Sequence, residues 1–96
     1  MPNVTQVLKP IFAADGKVIY KTGSVYNISA QQGTILSDHS HDEAETIWLI
    51  YGEAEIQIGE VIERAKAPCE FYVGPKVYHK FTAITDINFV EERHSS

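Results

Sequence analysis

The sequence predicts an all-β domain, a sandwich or small barrel, and three observations carry that prediction. Short apolar-rich runs recur along the whole chain, several alternating polar and apolar residues. Turn residues separate them, as at Asp15-Gly16, Gly23-Ser24, Gly59-Glu60 and Gly74-Pro75. No window carries a capped apolar repeat at the helical period, and residues Glu60 to Lys66 allow at most one helical turn.

Taken in order, Val4 to Leu8 can form a leading strand before Pro10 interrupts pairing. Ile11 to Ala14 and Lys17 to Lys21 flank Asp15-Gly16, a dipeptide suited to the positive φ of a tight hairpin turn. Val25 to Ala30 alternates faces as a half-buried strand, and Gln31-Gln32-Gly33 turns the chain. Glu45 to Tyr51 is rich in β-formers and ends at Gly52. Glu53 to Ile58 alternates polar and apolar, followed by strands at Val61 to Lys66, Cys69 to Val73, Val77 to Ile84 and Ile87 to Glu92. The tail Arg93-His94-Ser95-Ser96 is expected to fray, with His94 in solvent.

At 96 residues the chain suffices for one domain with one modest core. The net charge of -5 is spread evenly, with three bases against five acids in residues 1–48 and five against eight in 49–96. Without a basic patch, nucleic acid and anionic membrane are not expected partners. Cys69 is the single cysteine, which excludes an intrachain disulfide and suits a small hydrophobic packing role. The longest apolar run, Ile47 to Tyr51, is far too short to span a bilayer, and residues 1–6 lack the features of a signal peptide. The expected location is the cytoplasm.

The stretch from Gly33 to Gly52 carries the chemistry. His39 and His41 stand at i and i+2, so on a strand they leave from one face, and Glu45 follows after a bend. Two imidazoles and a carboxylate suit a divalent transition metal with open positions. His79, at the start of another strand, can be delivered across a closed barrel as a fourth ligand. Asp38, Asp42 and Glu43 read as solvated loop charges, one of which could accept a hydrogen bond from a ligand imidazole.

These residues resemble the first motif of the cupin family, G-x5-H-x-H-x3-E-x6-G, matched at Gly33, His39, His41, Glu45 and Gly52. The second cupin motif, G-x5-P-x-G-x2-H-x3-N, is present in degraded form. On one alignment Pro75 matches, Cys69 stands where the first glycine would, and the turn to His79 is one residue short and lacks the inner glycine. On the other, Gly74 takes the proline position and Lys76 the inner glycine, with Ala83 at the terminal asparagine. His79 is retained on both. The resemblance covers residues 25–92, with N-terminal strands within 4–22. It implies the small cupin β-barrel, a double-stranded β-helix or jelly roll, with metal held by His39, His41, Glu45 and His79. The donor set admits Fe, Mn, Ni, Cu or Zn.

Strand parity then outlines a pocket. With Glu45 inward, Ile47, Leu49 and Tyr51 share its face, and Thr46, Trp48 and Ile50 point away. With His79 inward, Phe81 and Ala83 follow, and Tyr26 and Ile28 could lie near the mouth. A mostly apolar lumen around a metal suits a small organic ligand. Tyr26, Tyr51 and Tyr78 are the candidate acid–base groups beyond the ligands. The expected function is a metal-dependent enzyme on a small molecule, dioxygenase-like, with isomerase or lyase chemistry possible; the alternative is a binding or sensor module that holds a carboxylate or sugar without turnover. The outward Trp48/Ile50 face, with Tyr72, predicts a homodimer.

Overall fold

In the computed structural model, which describes residues 8–94, ten strands follow in the order the turn signals predict. They are β1 Phe12–Ala14, β2 Lys17–Thr22, β3 Val25–Ala30, β4 Ile35–His39, β5 Ala44–Tyr51, β6 Glu53–Ile58, β7 Val61–Lys66, β8 Cys69–Val73, β9 His79–Ala83 and β10 Ile87–His94. There is no helix among the described residues. The expected leading strand from Val4 lies outside them, except for Leu8, which is exposed and in no strand.

The strands form two antiparallel sheets, one in the order β1-β2-β3-β10-β5-β8 and the other β4-β9-β6-β7. From β3 onward the chain passes repeatedly between them, with β4, β6, β7 and β9 in the smaller sheet and β5, β8 and β10 in the larger. Alternation decides which face is buried. On β6, Ala54 and Ile56 turn inward while Glu55 stays in solvent; on β9, His79, Phe81 and Ala83 are all buried. The core lies between the sheets, where Phe81 meets Phe71 at 5.6 Å and Phe89 at 6.0 Å between ring centroids, edge to face. Cys69 packs against this core, as its small-hydrophobe reading expects, and burial raises its thiol pKa.

Two expectations are corrected. Ile47 and Leu49 are buried as parity requires, but Tyr51 is 64% exposed. On β10, Phe89 pairs with Leu49 and Asn88 with Tyr51, which leaves Ile50 as an extra residue on β5. Such a bulge resets the alternation and sends Tyr51 outward. The tail does not fray at Arg93 and His94: both belong to β10, paired with Glu45 and Ala44, and His94 Nε2 lies 3.0 Å from the Thr46 hydroxyl.

Gly52 closes the first motif for a steric reason. Its φ is +88°, and a Cβ there would run into the carbonyl of Asp86 and the side chains of Thr85 and Ile87.

Candidate metal centre

The site forms where one end of β4 and β9 in the smaller sheet faces β5 and β10 in the larger. His39 ends β4 directly opposite His79 on β9, after an irregularity in which Ser37 takes φ +55°. Opposed residues on antiparallel strands bring their Cβ atoms within about 5.5 Å, so this pairing alone joins residues forty apart in sequence. His41 arrives differently. It lies beyond β4, in the link to β5, so the expectation that His39 and His41 share a strand face is corrected. The link curls back instead, and two hydrogen bonds hold it: the His41 carbonyl accepts from the Lys76 N–H at 2.6 Å, and His41 Nδ1 donates to the Glu43 carbonyl at 2.7 Å. Lys76 has φ +63°, the left-handed conformation for which glycine is best suited, at the position where the second alignment of the motif placed it.

The three imidazoles form a near-equilateral cluster, with ring centroids 5.1, 4.8 and 4.9 Å apart. One ring nitrogen from each lies within 4.8 Å of the others. His79 Nδ1 is 3.0 Å from the Val77 carbonyl, to which it donates. With Nδ1 of His41 and His79 each turned to a backbone carbonyl, Nε2 is the nitrogen that faces inward on both, 3.1 and 2.9 Å from Glu45 Oε1. The acceptors of the imidazoles are thus backbone carbonyls; neither the Asp42 nor the Glu43 carboxylate fills that role. His79 and Glu45 are fully buried, His41 is half-buried and His39 is exposed at the mouth.

Two further groups complete the site, and the sequence reading missed both. On β10 the inward alternation of Ile87 and Phe89 continues to Glu91 and Arg93. Glu91 is buried against Glu45, and Arg93 sits across from Glu45 in the sheet. Following the β10 parity two residues further would have found them.

Burial acts first on Glu91, and the hydrogen bond to Glu45 and the charge of Glu45 add to it, so its pKa is pushed up to about 9. Burial also raises Glu45, but its close contacts with His79 and Glu91 and the charges of His79 and His41 outweigh it, and the pKa falls to about 2. At neutral pH the pair therefore holds one proton, on Glu91. For His79, burial lowers the pKa, yet its close approach to Glu45, the hydrogen bond to Val77 and the Glu45 charge bring it above its ordinary value. His39 is lowered, by burial and then by the charges of His79 and His41.

This donor set fits a metal. His79 Nε2, Glu45 Oε2, Glu91 Oε2 and Arg93 Nε are buried without hydrogen-bond partners, since the His79–Glu45 approach of 2.9 Å lacks hydrogen-bond geometry. Each such orphan costs about 1–3 kcal/mol. Of these, His79 Nε2 and Glu45 Oε2 are metal-ligating atoms, and with His39 and His41 beside them a bound cation would offset their cost.

Beside the histidines a cavity of about 390 Å³ opens, bounded by Ile11, Lys17, Ile19, Tyr26, Ile28, Ile35, Leu36, Ser37, His39, Glu91 and Arg93. Of the three candidate tyrosines only Tyr26 lines it. Tyr51 is exposed beyond the bulge, and Tyr78, 38% exposed, precedes His79 without reaching this cavity.

No protein-family profile and no curated protein matches this sequence. Solved structures match the fold. An RmlC-like cupin from Shewanella frigidimarina superposes with a TM-score of 0.82 at 16% identity, covering 98% of this chain and 89% of the other. A conserved protein of unknown function from Streptococcus pyogenes gives 0.74 at 13% identity, covering 98% of both chains. A predicted oxalate decarboxylase from Thermotoga maritima gives 0.77 at 15% identity, over 83% of this chain and 81% of the other. The fold is that of a small all-β cupin domain, as the Gly33–Gly52 motif implied.

Proposed function

We propose that this chain is a metal-dependent enzyme acting on a small organic molecule, with His39, His41, His79 and Glu45 as metal ligands. The supporting observation is the convergence of three imidazoles, with Nε2 of His41 and of His79 turned towards Glu45 by backbone hydrogen bonds at Nδ1. When bound, Fe, Mn, Ni, Cu or Zn would supply Lewis acidity and, for the redox-active ions, electron transfer.

The chain's own residues do the rest. Glu45 contributes the one carboxylate charge, and Glu91 keeps its proton turned to Glu45. The apolar walls of the cavity exclude water from one side of the histidines. We read the activity as dioxygenase-like; the predicted oxalate decarboxylase among the neighbours lends support to chemistry on a small carboxylate. One observation favours the alternative of a binding or sensor module: of the tyrosines, only Tyr26 is placed to serve as an acid or base.

Oxygen uptake separates the two. The metal-loaded protein is screened with catechols, thiols, β-diketones and short carboxylates. Turnover with uptake supports the enzyme. Ligand-induced thermal shifts with no uptake and no product make it a binding module.

We also propose a homodimer through the outward face of β5 and β8. Ile50 and Tyr72 are 55% and 59% exposed there, and the N-terminal hairpin β1-β2 lies at the opposite edge of the sheet. Trp48, half-buried and donating to Glu70, borders that face. A Tyr72→Glu variant should elute as a monomer, and an unchanged dimer would remove the proposal.

A further inference from the structure

We propose that the cavity beside the histidines takes a carboxylate with a short apolar tail, the carboxylate on Arg93 and the tail among Ile11, Ile19, Ile28, Ile35 and Leu36. The inference rests on the metal-site reading above and names its ligand class.

Arg93 is an unusual cation. Three carboxylates surround it, from Glu43 at 3.7 Å, Glu45 at 3.8 Å and Glu91 at 3.7 Å, all beyond hydrogen-bond reach. Its Nε is buried and has no partner. The guanidinium lies over the Tyr26 ring, 4.7 Å from the centroid. That contact holds the guanidinium beside the cavity, and its N–H groups, in ion pairs too long for hydrogen bonds, can still close on a carboxylate. Arg93 is thus held by the Tyr26 ring and by long ion pairs, with no side-chain hydrogen bond at Nε.

The cavity supplies the other half of the specificity. Five aliphatic side chains line it, and its volume of about 390 Å³ lies at the small end of ligand pockets. Lys17 is a second cation on its wall, and His39 belongs to the same lining, so a ligand on Arg93 adjoins the histidine cluster. A bound divalent cation would add positive charge to Arg93 and Lys17 against Glu43 and Glu45, which strengthens the attraction for an anion. A sugar or a polyol would leave the aliphatic wall unused, and an uncharged apolar molecule would leave the Arg93 Nε–H without a hydrogen-bond acceptor.

The probe is a series of n-alkanoates from acetate to octanoate, with n-alkanols of the same lengths as controls. Affinity is followed by calorimetry and thermal shift on metal-loaded and metal-stripped protein, with metal content measured separately. Alkanoates are expected to bind more tightly than alkanols, with affinity rising about fourfold per buried methylene until the cavity is filled. Arg93→Gln should weaken alkanoate binding at least tenfold and leave alkanol binding unchanged. Ile19→Trp should shorten the longest alkanoate accepted without touching Arg93, which keeps the test decisive if Arg93→Gln does not fold. Equal binding of alkanols and alkanoates, no dependence on chain length, or an Arg93→Gln protein of undiminished affinity would overturn the proposal. A chain that holds no metal yet shows the Arg93-dependent preference would overturn the metal reading alone.

Discussion

The carboxyl of Glu91 is buried against the carboxyl of Glu45, both shut off from water, and one proton serves the two. The proton sits on Glu91, whose pKa is about 9, while that of Glu45 is about 2. Burial raises Glu91 first; the hydrogen bond and negative charge of its neighbour add to the rise.

A pH dependence follows with a definite sign. The folded protein binds a proton at Glu91 that the unfolded chain releases above 4.5, so the contribution is full below 4.5 and is lost as pH rises towards about 9. Glu91→Gln keeps the hydrogen-bonding shape of the protonated acid and cannot ionise. In metal-free protein it is expected to melt higher than the parent at pH 8–9, with the difference shrinking towards pH 5. A constant difference across that range would contradict the assignment.

Metal binding should itself be proton-linked. The Glu45 carboxylate holds a proton on His79 above the ordinary imidazole value of 6.5, and that proton must leave when Nε2 becomes a ligand. Affinity is therefore expected to fall as pH drops through the neutral range, with proton release on binding near pH 6.5. Calorimetry in buffers of different ionisation enthalpy reads the released proton directly. Equal affinity at acid and neutral pH would argue against imidazole ligation.

The backbone of the two motif turns can be tested without touching a ligand. Lys76 has φ +63°, which costs a side-chain-bearing residue about 1–2 kcal/mol. Lys76→Gly relieves that strain against a glycine entropy cost of about 0.5–1 kcal/mol, so melting should rise by a few degrees. Lys76→Ala, which keeps the strain, should not raise it. Gly52→Ala meets the Asp86 carbonyl at φ +88° and is expected to cost more than about 2 kcal/mol, read by urea unfolding.

The sequence carried more of the histidine cluster than of its surroundings. His39, His41, Glu45 and His79 were legible because fixed spacing between unlike residue types is a strong signal in a chain with four histidines. The means by which they meet was not. A shared strand face for His39 and His41 assumed regular pleating, whereas an irregular β4 end and the hydrogen bond from Lys76 to His41 bring them together. Tyr51 was misplaced because a bulge at Ile50 has no signature in Ile-Trp-Leu-Ile-Tyr. Glu91 and Arg93 were passed over because charged residues near a terminus read as solvated, and only pairing with β5 shows that they turn inward. Nine of the ten strands lie close to their expected bounds because turn residues and period-two alternation agree almost everywhere, whereas β4 had no bounds assigned.

The central claim is that His39, His41, Glu45 and His79 hold one metal. Elemental analysis of protein purified without added metal, for the parent and for His39→Ala, His79→Ala and His94→Ala, tests it most directly. His94 is the control, since it bonds Thr46 on the same strand pair yet stands outside the cluster. About one metal per chain in the parent and in His94→Ala, with loss in His39→Ala and His79→Ala, is the expected result. Unchanged metal content in His39→Ala and His79→Ala would contradict the account.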